Sequence, residues 1–209
     1  MGARIVIADG NADSAQVAAF ERDRRELVRR GLDLGAAVVA ASAIPLLLAV
    51  RDAFADSDTD GTILEQAITL ERVAVLAYDR ILAGGLLADR LVRQVQVLRG
   101  HEQQHADVLT KALTDLGATP PPAPSGVADV DKVVKGLADV RTQADVLSFA
   151  IELETAAVAA YYDAHAKLVE AKLLQTGASI MADEGQHLVV LRQAAGRPPV
   201  PNALETGEK

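Results

Sequence analysis

The sequence predicts an all-α protein, a four-helix bundle of two antiparallel hairpins joined by a long crossover and preceded by an apolar N-terminal segment. Half of the 209 residues are hydrophobic and only 3% are aromatic, and the abundant Ala and Leu are strong helix formers. Four segments have apolar residues at three- and four-residue steps, the amphipathic helix pattern. The links between them are short, long and short, as in two hairpins packed together.

These amphipathic patterns, with their flanking residues, define the four helices. They are predicted over 61–82, 86–116, 142–165 and 171–195. Asp60 is expected to cap the first helix, and Gly84-Gly85 to end it. The proline-rich "GATPPPAPSG" at 117–126 cannot continue a helix, so it begins a crossing that includes a short helix at 128–140. The bundle domain is therefore predicted over 56–196, with an extended tail at 197–209.

Charge and cysteine content exclude several classes of function. The formal net charge is −8, which argues against non-specific nucleic-acid binding. Residues 1–55 carry seven acidic and seven basic residues, so the whole net charge comes from the remainder of the chain. The absence of cysteine excludes disulfides, zinc–thiolate sites and thiol nucleophiles.

The first 55 residues are predicted to direct the protein to a compartment. Arg24-Arg25 precedes the apolar stretch 31–50, and Ala53 and Ala55 follow at the spacing of a small-x-small cleavage site. This arrangement resembles a twin-arginine export signal, which implies export to the periplasm or cell envelope. Two alternatives remain open. The stretch 31–50 is about long enough for an uncleaved membrane anchor, or it is a buried helix of a cytoplasmic protein.

The two hairpins contain an internal repeat. "ERVAVLAY" at 71–78 matches "ETAAVAAY" at 154–161, and "EQQHADVL" at 102–109 matches "EGQHLVVL" at 184–191. The second copies lie 83 and 82 residues further along the chain. A duplication that preserves only packing explains the repeated Ala, Val and Leu. It does not explain the repeated Glu and His, because carboxylates inside a bundle are costly to desolvate unless they are paired or bind metal.

The spacing of these polar residues suits a metal site. Residues three apart lie on one face of a helix, so Glu102 with His105, and Glu184 with His187, can each reach one point. The repeat places Glu71 and Glu154 on the remaining two helices at the same level. Four carboxylates and two neutral imidazoles carry a charge of −4, which two divalent cations neutralise. Oxygen and nitrogen ligands without sulfur favour iron or manganese over structural zinc.

The repeated motifs resemble those of the ferritin-like di-iron and di-manganese carboxylate superfamily over about residues 61–195. The resemblance implies two metal ions, with iron favoured over manganese, and implies that Glu102 and Glu184 bridge them. The implied ligands are Glu71, Glu102, His105, Glu154, Glu184 and His187. A narrower resemblance, to exported ferritin-like proteins that include desiccation-related members, depends on the twin-arginine pattern.

Three further side chains near the motifs have open roles. Tyr78 and Tyr161 follow their Glu by seven residues and are predicted to pack in the core, with hydrogen bonding to the ligands as the alternative. His101 lies one turn before His105, and the repeat places Asp183 at the equivalent position. His101 is therefore expected to support the ligands or lie at the surface, rather than bind metal itself.

The resemblance implies an oxidoreductase that acts on O2 or H2O2, with ferroxidase, peroxidase or catalase-like chemistry. The alternative is a non-enzymatic metal-binding or stress-protective helical bundle of the cell envelope, and an iron-storage subunit is a third candidate. A homo-oligomer is compatible with each of these. The lack of cysteine excludes the four-cysteine electron-relay domain of rubrerythrin-like proteins.

Overall fold

The computed structural model describes residues 59–207. They contain the helices α1 (Asp60–Ala83), α2 (Asp89–Asp115), α3 (Val127–Val130), α4 (Gln143–His165) and α5 (Ala171–Ala194), with a 3-10 turn at Leu137–Asp139. No strand occurs among these described residues, so the all-α prediction is confirmed. The twin-arginine pattern and the apolar stretch 31–50 lie outside the described range. Within that range, no helix combines the length and the apolar character needed to cross a membrane.

The four long helices form the predicted bundle. α1 packs along α2, and α4 packs along α5, so each pair is a hairpin. α1 contacts α4 and α2 contacts α5, which joins the two hairpins, while the short α3 packs on α1. Alanines at 150, 156 and 160 of α4 are almost completely buried. Their small side chains allow the helices to approach closely around the middle of the bundle.

The start of α1 differs from the prediction. Thr59, rather than Asp60, caps this helix, and its hydroxyl accepts a hydrogen bond from the backbone N–H of Thr62. The carboxylate of Asp60 instead accepts hydrogen bonds from the backbone N–H groups of Val169 and Glu170, each at 2.9 Å. Asp60 therefore satisfies backbone donors at the start of α5, and it links the first hairpin to the second.

The links also refine the predicted boundaries. α2 begins at Asp89 rather than near 86, because Ala88 is extended and donates its N–H to the side chain of Gln143 at 3.0 Å. The helix expected at 128–140 is divided into α3 and the 3-10 turn, and Gly136 between them has a φ of 100°. That left-handed conformation interrupts a helix and suits glycine.

The C-terminal residues 197–207 form no helix, yet they contact the bundle. The guanidinium of Arg192 lies 2.6 Å from the carboxylate of Glu205. Gly207 is buried with a φ of 71°, and a Cβ added there would lie only 2.4 Å from the backbone nitrogen of Ala159. The end of the described tail therefore packs directly on the backbone of α4.

Candidate metal centre

The six predicted ligands all lie in the interior of the bundle. Their relative exposures are at most 9%: Glu71 1%, Glu102 1%, His105 9%, Glu154 1%, Glu184 0% and His187 2%. Four carboxyl groups removed from water cost several kcal/mol each unless protons, partners or cations compensate them. Their shared burial therefore requires an explanation beyond packing.

The six side chains form two overlapping groups of potential ligands. Within each group, one donor atom per residue lies within 4.8 Å of every other. The first group consists of Glu71, Glu102, His105 and Glu184. The second consists of Glu102, Glu154, Glu184 and His187. The two groups share Glu102 and Glu184, the two residues that the ferritin-like resemblance implies as bridges.

In both groups an imidazole Nδ1 atom faces three carboxylates. The Nδ1 atom of His105 lies 3.0 Å from Glu184, 3.6 Å from Glu71 and 3.7 Å from Glu102. The Nδ1 atom of His187 lies 3.1 Å from Glu102, 3.1 Å from Glu184 and 3.3 Å from Glu154. The 82-residue repeat thus produces two nearly equivalent half-sites in space.

Buried polar atoms without hydrogen-bond partners indicate whether this cluster fits two cations. Oε1 of Glu102, Nδ1 of His105 and Oε1 of Glu184 are buried and have no hydrogen-bond partner. His105 Nδ1 and Glu184 Oε1 are nevertheless only 3.0 Å apart, so they are close but not oriented to bond to each other. Buried polar atoms in native proteins are almost always satisfied. A pair of divalent cations between the shared glutamates would satisfy all three.

Burial and mutual contact shift the pKa values of the cluster. Desolvation raises the pKa of Glu71 to about 8, against the opposing contact with the imidazole of His105. Desolvation, together with the charge of Glu184, raises the pKa of Glu154 to about 8. Burial alone would lower the pKa of His105, but close contacts with the carboxylates of Glu102, Glu184 and Glu71 outweigh it and raise that pKa to about 12.

The pKa of His187 is raised in the same way. Desolvation opposes the shift, and close contacts with the carboxylates of Glu102, Glu154 and Glu184 overcome it. Without cations, protons therefore take the compensating role in the cluster. Cations that bind to the same atoms have to displace those protons.

The two tyrosines contact the opposite hairpin. The hydroxyl of Tyr78 donates a hydrogen bond to Oε1 of Glu154, and the hydroxyl of Tyr161 donates one to Oε1 of Glu71. Both rings are buried, and desolvation followed by the nearby carboxylate raises both hydroxyl pKa values. The tyrosines therefore pack in the core and also orient two of the predicted ligands.

The outer side of the cluster contains a residue that the sequence analysis did not assign. Oδ2 of Asp183 lies 3.3 Å from Nε2 of His105 and 3.4 Å from Nε2 of His187. It also lies 3.0 Å from Nδ1 of His101. A carboxylate on the far nitrogen of a ligating histidine fixes the ring and its tautomer. The only sequence signal for Asp183 is that the repeat pairs it with His101.

The remaining polar residues of the repeats lie outside the two ligand groups. Gln104 and Gln186 are exposed, and each donates to a backbone carbonyl of its own helix. His165 lies beyond the cluster on α4, where its Nδ1 is 2.6 Å from the carbonyl oxygen of Tyr161. Glu65 is exposed on α1.

Comparisons with known proteins agree with the fold. A family model described as a ferritin-like domain matches residues 59–197. The crystal structure of rv2844, a conserved hypothetical protein from Mycobacterium tuberculosis, is similar in fold with a TM-score of 0.57. The two sequences are 16% identical, and the alignment covers 76% of this chain and 99% of that one. No curated protein is significantly similar to the sequence.

Proposed function

Because the chain belongs to the ferritin-like domain family, we propose that it is a dimetal carboxylate oxidoreductase that acts on O2 or hydrogen peroxide. One observation carries the proposal: the two four-residue donor groups share Glu102 and Glu184. Two carboxylates that belong to both groups could hold two neighbouring cations at once, because a carboxylate has an oxygen to offer to each. A single structural cation would need only one of these groups.

The donor set determines which metals are proposed. Each group offers three carboxylates and one imidazole, and the chain has no cysteine. Hard oxygen donors with one nitrogen suit iron and manganese. We propose iron rather than manganese, in keeping with the ferritin-like resemblance. When bound, the pair would supply electrons to O2 or peroxide, one from each reduced ion.

The protein's own side chains position the ligands. The Tyr78 and Tyr161 hydroxyls each hold one oxygen of Glu154 and Glu71, so the other oxygen of each carboxylate remains available. Asp183 contacts the Nε2 atoms of both ligating histidines. With Nε2 as the N–H donor, Nδ1 of each ring is an unprotonated ligand atom directed at the shared glutamates.

The burial of the centre limits the size of its substrate. No proposed ligand is more than 9% exposed, so a large organic molecule has no direct approach to the ligand atoms. O2 and hydrogen peroxide are small enough to reach a nearly closed interior. This burial also excludes bulk water from the reacting atoms, which strengthens every electrostatic interaction there.

Metal analysis and a turnover assay test the proposal. Purified protein should contain close to two metal ions per chain, and Glu102→Gln together with Glu184→Gln should abolish that content. Glu65→Gln, an exposed carboxylate on α1, is the matched control and should retain both ions. Addition of Fe(II) and then O2 or peroxide should give Fe(II) oxidation faster than in buffer and faster than in the double variant.

The non-enzymatic alternative makes a different prediction for the same assay. A metal pair that only stabilises the bundle would be present at two ions per chain but would not react with either oxidant. Unfolding on chelation, without any oxidation activity, would therefore reject the oxidoreductase and support a stress-protective bundle. Protein without metal would reject both.

The cellular location is proposed on the sequence alone. We propose export by the twin-arginine route, supported by Arg24-Arg25 and the apolar stretch 31–50. This route carries folded proteins, so the bundle would fold around its metal ions before export. Replacement of both arginines by lysine should retain the protein in the cytoplasm, and unchanged location in the cell envelope would reject the proposal.

A further inference from the structure

Next to the buried pair of ligand groups, and sharing His187 with the second of them, three side chains form a smaller cluster on the α2–α5 side of the bundle. The cluster consists of His101, Asp183 and His187. Nδ1 of His101 lies 3.0 Å from Oδ2 of Asp183 and 3.0 Å from Nε2 of His187. Nε2 of His187 lies 3.4 Å from the same Asp183 oxygen. The three donor atoms thus form a nearly equilateral triangle.

The edges of this triangle match the separation of ligands around one cation. First-row metal ions bind nitrogen and oxygen ligands at about 2.0–2.2 Å. Two ligands at that distance are about 3.0 Å apart when they subtend a right angle, and about 3.4 Å apart at the tetrahedral angle. The observed edges of 3.0 and 3.4 Å lie at these two values, so an ion equidistant from the three atoms would be at a normal coordination distance from each.

We propose that His101, Asp183 and His187 form a third metal site that binds a first-row divalent cation. Two imidazoles and one carboxylate are the donor set that Fe(II) and similar ions bind on one face, with the other positions open. The side chains of His101 and Asp183 are 38% and 26% exposed. Water can therefore fill the open positions, unlike in the buried centre.

His187 connects this third site to the buried centre. Its Nδ1 atom faces Glu102, Glu154 and Glu184, and its Nε2 atom faces the third site. A neutral imidazole has one N–H, so cations at both nitrogens require the ring to lose both protons. The third cation should therefore bind more weakly, by about tenfold, when the buried pair is complete. This coupling rests on the proposed function, whereas the geometry of the third site does not.

A Co(II) titration, followed by visible absorption and by equilibrium dialysis, tests the third site. Wild-type protein should bind two Co(II) ions tightly and a third more weakly. His101→Ala should lose the third ion and retain the tight pair, because His101 belongs to neither buried group. Gln104→Ala, an exposed change one turn further along α2, is the matched control and should retain all three.

A second variant guards against an indirect effect of the first. Asp183→Asn removes the carboxylate of the third site without shortening the side chain, and it should also lose the weak ion. Circular dichroism melting checks that each variant remains folded. Equal Co(II) content in wild type, His101→Ala and Asp183→Asn would overturn the proposal, because the three side chains would then only hydrogen-bond to one another.

The outcomes separate this inference from the proposed function. A wild-type protein that binds one Co(II), lost in His101→Ala but retained in Glu102→Gln, would keep the third site and reject the buried pair. A protein that binds two Co(II) ions, both retained in His101→Ala, would keep the buried pair and reject the third site.

Discussion

Binding of two divalent cations at pH 7 is expected to release about four protons per chain. Burial raises the pKa of Glu71 and of Glu154 to about 8, so each is about nine-tenths protonated at pH 7. Contacts with the glutamates raise the pKa of His105 to about 12 and also raise that of His187. Metal ligands have to be deprotonated, so the two carboxyls and the two imidazolium ions each lose one proton.

The same six residues with ordinary pKa values would release far less. At pH 7 a histidine with a pKa of about 6.5 is about one-quarter protonated, and a glutamate is fully ionised. Release would then be about half a proton for the pair of metals. The roughly eightfold difference between the two expectations comes from burial and from the contacts within the cluster.

Isothermal titration calorimetry measures this release. Titration of Co(II) into metal-free protein in buffers with different ionisation enthalpies gives the number of protons from the slope of the observed heat. Glu71→Gln cannot carry the first of these protons, so its release should fall by about one. A wild-type release below one proton per chain would refute the reasoning, since the cluster would then be ionised before the metals bind.

The same shifts determine how the stability of metal-free protein depends on pH. Glu71 and Glu154 have higher pKa values in the folded protein than the ordinary 4.5. The folded state therefore binds more protons than the unfolded state, and the free energy of unfolding falls as pH rises through about 4.5 to 8. The loss approaches about 1.4 kcal/mol per pH unit for each carboxyl between these two values.

Metal-bound protein should not show this loss, because cations replace the protons. The difference in melting temperature between metal-bound and metal-free protein should therefore widen from pH 5 to pH 8. Differential scanning calorimetry with and without a chelator measures it. A constant or narrowing difference would contradict the assignment of protons to the buried carboxyls.

Two sets of substitutions test contacts inside the bundle, one at the centre and one beyond it. Tyr78→Phe and Tyr161→Phe each leave a buried carboxyl oxygen without its hydrogen-bond donor. Each should lower the free energy of unfolding of metal-free protein by about 1–3 kcal/mol, measured by urea unfolding. An unchanged urea midpoint would contradict these hydrogen bonds. Gly177→Ala places a Cβ 3.3 Å from Cε1 of His165. Nδ1 of that ring lies 2.6 Å from the carbonyl oxygen of Tyr161, which limits its movement. The added methyl should therefore overpack the site and lower the melting temperature. A Cβ at Gly185 on the same helix would meet nothing within 4 Å, so Gly185→Ala should instead raise the free energy of unfolding by up to about 1 kcal/mol. Equal changes in melting temperature for the two variants would contradict the contact between residue 177 and His165.

The repeat made the bundle and the clustering of six residues predictable from the sequence. Helical periodicity and link lengths define four long helices in two hairpins, and the structure has α1, α2, α4 and α5 in that arrangement. Burial of a Glu side chain costs free energy, so the repetition of Glu beside His indicates that these side chains act together inside the bundle. Those two kinds of signal are local or periodic, and a single sequence displays them directly.

Other features depend on contacts between distant segments and have no local signal. Asp60 looks like a helix cap, yet its carboxylate binds the backbone at Val169 and Glu170. Asp183 looks like a solvated residue on a helix, yet its Oδ2 contacts three imidazoles. The position of Tyr161 predicts a core side chain, yet its hydroxyl also donates a hydrogen bond to Glu71. In each case a polar side chain finds a partner on a segment distant in the sequence, and the pattern within its own helix does not show which one.

The tyrosine of each hairpin contacts a glutamate of the other, so the centre is complete only when both hairpins are packed together. Tyr78 of the first hairpin binds Glu154 of the second, and Tyr161 of the second binds Glu71 of the first. Each hairpin alone would expose its glutamate without the donor that orients it. The two shared ligands, Glu102 and Glu184, also come from different hairpins. Association of the hairpins and completion of the ligand set are therefore one event, so any cation that binds this centre stabilises the bundle by holding its two halves together.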